Sequence, residues 1–475
     1  SFSNTPIITL NSLNNGQTTL VDQNSSFIKE RPSSSVDGSI VTFEYVINGI
    51  RQIAYRDTFT NSPIVLVSKQ NETTNIVGGN ADSLRPKISE DGNIIVFHSR
   101  ASNLVNTDSN NHEDIFSFNI NGEVLLKISS SSGKSADGGS FYPDTNSDGS
   151  KIVFESDATN LSTKLNNDSR QIFLWEDNTG SIVQLTEGNG KSHSSSISKD
   201  GNRIVFTSEA SNLDTTSGDT DSNGVSDIFL YDANTSIITR LNKNHLGFET
   251  TGGLSDQAKI SGDGKTVVFR SLATNLVTGK GISNLLIETS GVGYYGNPTI
   301  VVNDPFGNGE GAELAFVLGA IDLYGQIRPG GIEIISSGKN YSDPQVTIIP
   351  DPNFPAPVQV ASVKAHLTHP LGEIYSVNVD ALLVNDFSSI KRISENAEGV
   401  GGDMASREPD VSDDGKSIVY STQASNLLGN QVTRADGKVF YNQPVRQARA
   451  QAILVGGIGE IDVLASGSGY SNGLL

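Results

Sequence analysis

Two loops in this chain alternate acid and amide side chains in the same order, Asp108-Ser-Asn110-Asn-His-Glu-Asp114 and Asp221-Ser-Asn223-Gly-Val-Ser-Asp227. Hard oxygen donors at such spacing are what Ca2+ takes from a short loop, about six to eight at a time. The second loop is preceded by Asp219, which makes its opening Asp-x-Asp-x-Asn-Gly, as in an EF-hand. However, Leu230 stands where an EF-hand carries its bidentate Glu, and a strand pattern follows where a helix is required. The expected cofactor is therefore Ca2+ held in a loop between strands, with Asp219, Asp221, Asn223 and Asp227 as the richer site and Asp108, Asn110 and Asp114 as the second. Such an ion would stiffen the loops, since no base or nucleophile accompanies it. The competing reading is a set of Asx-turns, in which the same side chains bond their own backbone. The third repeat carries Leu165, Asn167 and Gln171 at these positions, so the loop also forms without the acids.

No catalytic residue is expected. The six histidines are scattered, and His366 and His369 fall in a Pro-containing β segment rather than on a helix. Gly469-Tyr-Ser471-Asn-Gly473 has the Gly-x-Ser-x-Gly form without a strand-to-helix elbow or a downstream Asp or His. Trp175 sits in a strand and is expected to pack between repeats.

The elements that position these loops repeat. Ile88-Ser-Glu-Asp91-Gly92-Asn-Ile-Ile-Val-Phe97 recurs around Asp37-Gly38, Asp148-Gly149, Asp200-Gly201, Asp263-Gly264 and Asp414-Gly415. A strand, a tight Asp-Gly turn and a second strand ending in an aromatic residue account for each copy. Ala-Ser/Thr-Asn-Leu follows at 101–104, 158–161, 210–213, 273–276 and 424–427. A third strand then reads Ile-Phe or similar, and a fourth closes the unit. A fixed period of this kind marks a repeat architecture.

Composition agrees with short strands and turns: 48 Gly, no Cys, and Asn, Ser, Thr and Asp crowding the connections. A formal charge of −20 argues against nucleic acid as a partner. No run of about 18 apolar residues occurs, so no membrane span is expected. The chain opens at Ser1 with neither initiator Met nor signal peptide, which reads as a removed leader or a fragment.

The Ser-x-Asp-Gly-x-x-Ile-Val-Phe hairpin resembles the bacterial TolB-type, WD-like β-propeller repeat over residues 1–280 and 372–442. That resemblance implies a propeller fold and, for function, a periplasmic protein that docks other envelope proteins. Residues 281–371 differ in character and carry their own repeat, Ser290-Gly-Val-Gly-Tyr294 against Ser337-Gly-Lys-Asn-Tyr341. A further copy begins near Val463, from which the native sequence is expected to run past Leu475. The Gly-x-Gly-Tyr pattern is similar to small β modules of phage structural and bacterial surface proteins.

The expected fold is all-β: a six-bladed propeller, seven-bladed as the alternative, closed by the N-terminal strand. Expected units are 1–280 (closing strand and blades 1–5), the inserted β module 281–371 in blade 5, 372–444 (end of blade 5 and blade 6), and 445–475 opening a second module. The elaborated loops all fall on one face, where a protein or surface-glycan partner, or another copy of the chain, is expected to bind. The favoured function is a non-enzymatic, Ca2+-stiffened binding or structural module of a larger extracellular, cell-surface or virion protein. The periplasmic docking protein is the alternative. A carbohydrate-active enzyme is third, since only Asp144, Asp256 and Asp410 offer carboxylates near the axis.

Overall fold

The computed structural model describes residues 29–427 apart from short stretches, the longest being 71–76 and 215–220, together with the strand paths 9–11, 18–20, 438–442, 449–454 and 458–465. The chain is a β-propeller. Blade 1 comprises Lys29–Ser34, Ile40–Ile47, Ile50–Asp57 and Val65–Leu66, and blade 2 Ser83–Ile88, Ile94–Ser99, Asp114–Asn119 and Val124–Lys127. Blade 3 comprises Ser140–Thr145, Lys151–Ser156, Gln171–Glu176 and Ser181–Gln184, and blade 4 Ser192–Ile197, Arg203–Ser208, Asp227–Asp232 and Ile237–Arg240. Blade 5 is interrupted in sequence: Ser255–Ile260 and Thr266–Ser271 pair on to Glu373–Asn378 and Lys391–Arg392. The sixth sheet runs Ser406–Val411, Ile418–Thr422, Lys438–Asn442, Arg449–Leu454 and Ile458–Ala465.

Among the described residues, no pairing joins the N-terminal strand to the sixth sheet, where the sequence suggested closure. Thr9–Asn11 pairs with Thr18–Leu20, and the position beside Lys438–Asn442 is taken by Arg449–Leu454. A contiguous partner needs only a short turn to reach the edge, whereas an N-terminal strand has to be brought in from the far end of the chain.

Each repeated motif has a mechanical reason. In blade 2, Ser89 donates its hydroxyl to Asp91 (2.5 Å), Asp91 accepts the Asn93 amide, and the Ser89 oxygen accepts the Ile94 amide. Gly92 takes φ 75°, a left-handed turn that side chains resist. The same bonds recur at Ser35-x-Asp37, Ser198-x-Asp200, Ser261-x-Asp263 and Ser412-x-Asp414. At the other end of the hairpin, hydroxyls pair across the first two strands, as at Ser83–Ser99, Ser140–Ser156 and Ser192–Ser208. The second of each pair accepts the amide of the Ala that opens Ala-Ser/Thr-Asn-Leu. The Asn of that motif then clamps the loop entering the blade, as Asn103 does at Asn80.

The aromatic residue ending the second strand stacks on its register partner in the third. Phe97–Phe116, Phe154–Phe173, Phe206–Phe229 and Phe269–Tyr375 lie 5.5 to 5.9 Å apart, all fully buried. Burial of each ring is worth about 2–3 kcal/mol, with roughly a further 1 from stacking. Core clusters cross blade boundaries: Val96 and Ile115 of blade 2 pack with Ile152 and Trp175 of blade 3.

Between the second and third strands of blade 5, residues 284–366 form a sheet of Asn284–Thr289, Ser362–His366, Gln345–Ile349 and Thr299–Asn303, plus the hairpin Glu310–Phe316 with Ile332–Lys339. It has its own core around Tyr294 and Ile327. Its two Ser-Gly…Tyr copies are used alike: the Tyr294 hydroxyl accepts the Ala361 amide and the Tyr341 hydroxyl the Ala312 amide. Gly291 and Gly338 lie under those rings, where a Cβ would come within 2.6 Å of each.

Candidate functional site

The two acid-amide loops occupy equivalent places, and each is closed on a cation of the chain itself. Asp114 opens the third strand of blade 2, wholly buried; Lys127, 3% exposed at the end of the fourth strand, puts its Nζ 2.7 Å from Asp114 and 3.0 Å from Asp108. Asn110 donates to the Ala136 carbonyl, and Ser129 donates to Asp114. In blade 4, Arg240 takes the place of Lys127: its Nη1 lies 3.4 Å from Asp227, 3.3 Å from Glu249 and 3.8 Å from Asp221. Asn223 and Asn242 donate to Asp227. Asp219 lies outside the described residues.

Asp221, Asp227 and Glu249 offer carboxylate oxygens within 4.8 Å of one another, close enough for one divalent ion. Arg240 already reaches all three, so an ion there would have to displace or crowd a buried guanidinium. At Asp108 and Asp114 the ammonium of Lys127 stands between the acids in the same way. Burial, then the Asp227 charge, pushes the Asp221 carboxyl up to about 7, and its Oδ2 is buried without a hydrogen-bond partner. The partnership is visible in the other repeats. Gln171 and Gln184 stand at the matching register positions of blade 3, while Glu373 and Arg392 stand there in blade 5.

The second site lies on the axis. The first strands of all six sheets line a cavity of about 730 Å³. Every one of these strands carries the same irregularity, a register shift across which one residue turns left-handed: Arg31, Arg85, Tyr142, Ser194, Gln257 and Glu408, with φ between 49° and 57°. Such a conformation costs roughly 1–2 kcal/mol per non-Gly residue. Neighbouring blades support it: Glu44 accepts the Arg85 amide, Glu155 the Ser194 amide and Gln257 the Glu408 amide. The bulge re-aims side chains at the axis. Two residues beyond it, the ring reads Ser33, Lys87, Asp144, Ser196, Lys259, Asp410, so like residues face each other across the axis from opposite blades.

One end of this cavity borders Arg170 and Lys191, beside the elaborated loops. The other end is crossed by the Asp-Gly turns, whose backbones join neighbour to neighbour: Val36 to Glu90, Asp91 to Ser147, Ser147 to Lys199, Lys199 to Gly262, and Asp263 to Asp413. Lys199 of blade 4 spans the axis there, pairing with Glu90 of blade 2 and, at 2.7 Å, Asp413 of blade 6. Burial works against its charge, but those two carboxylates raise its pKa. Of the three candidate acids, Asp144 and Asp410 line the cavity, whereas Asp256 is tied to Arg270 by two hydrogen bonds.

No protein-family profile matches the chain, and no curated protein does. Among solved structures it is similar to TolB from Acinetobacter baumannii, at 18% identity over 56% of this chain and 57% of that one, with a TM-score of 0.34. It is also similar to a putative TolB from Agrobacterium tumefaciens (14%, 74% and 94%, 0.34) and to oligogalacturonate lyase from Vibrio parahaemolyticus (11%, 87% and 93%, 0.38). A β-propeller hosts unrelated activities. Among the described residues no helix is long and apolar enough to cross a membrane.

Proposed function

We propose that this chain is a non-enzymatic docking propeller of the bacterial envelope that receives part of a protein partner in its axial cavity. One observation carries the reading: a cavity to which every blade contributes, bordered by the elaborated loops at one end and crossed by Lys199 and the turns at the other. Strained backbone repeated around a cavity, and held there by neighbouring blades, is a feature that structural packing alone does not call for. The TolB resemblance favours a periplasmic location over the extracellular one. On the rim, Lys127 and Arg240 pair with the loop acids, which ties the loops to the outer strands.

The test is a photoreactive phenylalanine analogue in place of Tyr142, which lines the cavity, and of Val183, on an outer strand. Crosslinking in intact envelopes should yield a defined protein adduct from position 142 and none from 183. Equal labelling from both, or turnover of a glycan by the isolated chain, would overturn the reading.

A further inference from the structure

We infer that the axial cavity is built to hold an acidic peptide segment, a carboxylate of which bridges Lys87 and Lys259. The inference rests on the docking reading above and names the chemistry of what docks.

The chain as a whole is acidic, with 33 basic against 53 acidic residues. The cavity reverses that balance: Arg31, Arg85, Lys87, Arg170, Lys191 and Lys259 line it against Asp144, Glu155, Glu408 and Asp410. Some of these charges are spent within the wall. Arg31 pairs with Glu44, and Arg170 with Glu155 and Asp157. Asp144 accepts the Ile197 amide and Asp410 the Val411 amide, which holds both short acids against the wall. Among the described residues, Arg85, Lys87, Lys191 and Lys259 have no carboxylate within ion-pair distance.

Lys87 and Lys259 occupy the same ring position on opposite blades. Burial first, then the charge of Lys87, lowers the Lys259 pKa, and these two effects outweigh the attraction of Asp144 and Asp410. An ammonium disfavoured by burial and by a like charge across a cavity is relieved by an anion placed between the two. Their longer stems let the ammonium groups move within the lumen, whereas Asp144 and Asp410 line it on short stems held by backbone amides.

A peptide fits better than an acidic sugar because each nearby aromatic ring already has a cation over one of its faces. The Arg85 guanidinium lies over the Tyr142 ring at 5.3 Å, and that of Arg170 over Phe141 at 4.2 Å. Sugar rings stack on bare aromatic faces; here a cation occupies one face of each ring.

The test is titration of the full chain with hexaglutamate, hexaglutamine and trigalacturonate by calorimetry, at low and at moderate salt. Hexaglutamate should bind and weaken as salt rises, and hexaglutamine should not bind. Lys87→Gln and Lys259→Gln should each lower the affinity about tenfold, while Lys391→Gln on an outer strand leaves it unchanged. Lys87 is exposed and unpaired, so its variant folds and keeps the test decisive even if Lys259→Gln does not. Hexaglutamine binding equally, unchanged affinity in Lys87→Gln, or binding of trigalacturonate alone would each overturn the inference. If acidic peptides fail while position 142 still crosslinks to a protein, only the charge assignment falls and the docking reading stands.

Discussion

Asp221→Asn should stabilise the protein at pH 8 and change little at pH 4. Asp221 is a third carboxylate beside Asp227 and Glu249, with only Arg240 to balance them. Its carboxyl is pushed up from 3.8 to about 7 by burial and by Asp227. The sign follows directly. The folded state holds a proton that the unfolded chain has released, so Asp221 erodes stability as pH rises from about 4 to about 7, after which the effect is constant. Three units at about 1.4 kcal/mol each set a ceiling near 4 kcal/mol. Solvent screening of a group that is only partly buried discounts that ceiling to a net gain of about 1–2 kcal/mol, or roughly 2–4 °C in Tm. Urea and thermal melts at pH 4, 6 and 8 measure it, with and without Ca2+ or EDTA. Equal destabilisation at every pH would refute the argument. A Ca2+-dependent rise in Tm that EDTA reverses and Asp221→Asn abolishes would make the trio an ion site instead.

Lys127→Met leaves Asp108 and Asp114 buried and unpaired and should cost about 3–5 kcal/mol in denaturant melts. Adding Asp108→Leu and Asp114→Gln, with Gln at 127, copies the uncharged arrangement of blade 3 and should recover most of the loss. Arg85→Gly relieves left-handed strain of roughly 1–2 kcal/mol against a glycine entropy cost near 1, so Tm should hold or rise while hexaglutamate affinity falls. Hydroxyl donation by Ser35, Ser150 and Ser412 lowers the carboxyls of Asp37, Asp148 and Asp414, the last to about 2. Their contribution is therefore complete above the unfolded carboxylate pKa near 4 and lost as pH falls toward 2, visible as acid unfolding that Asp414→Asn blunts. Lys199→Met should lower stability in a salt-dependent way, by about 1 kcal/mol after solvent screening, read from thermal melts at low and high salt.

The hairpins were legible because their chemistry is local. Ser89, Asp91 and Gly92 bond within six residues, and so does each of their counterparts, leaving the same letters in five of the six copies and Asn146 for Ser in the third. The aromatic stacks were half legible: Phe97 and Phe116 each appear in a repeated position, though only register pairs them. The acid loops were legible as clusters of oxygen donors, but the cations that pair with them were not. Their spacing resembles ligand spacing, while the cations that answer them, Lys127 and Arg240, sit 13 residues beyond Asp114 and Asp227. The signal was available: Lys or Arg closes the fourth strand in blades whose third strand opens with an acid, and Gln does so where it opens with Gln. The axial bulges left almost none, because Arg, Tyr, Ser, Gln and Glu all occupy them and only the following Pro at 32, 86, 143 and 409 hints at a shared backbone.

The ammonium of Lys199 has a consequence for how this molecule comes apart. Linear repeat arrays fray from their ends, each unit leaving its neighbour almost undisturbed. Here, blades two places apart on either side share one charged hub, so loosening any of the three strands two carboxylates or an amine at once. The turns of blades 2, 4 and 6 are thereby coupled, and their hydrogen exchange should slow and quicken together.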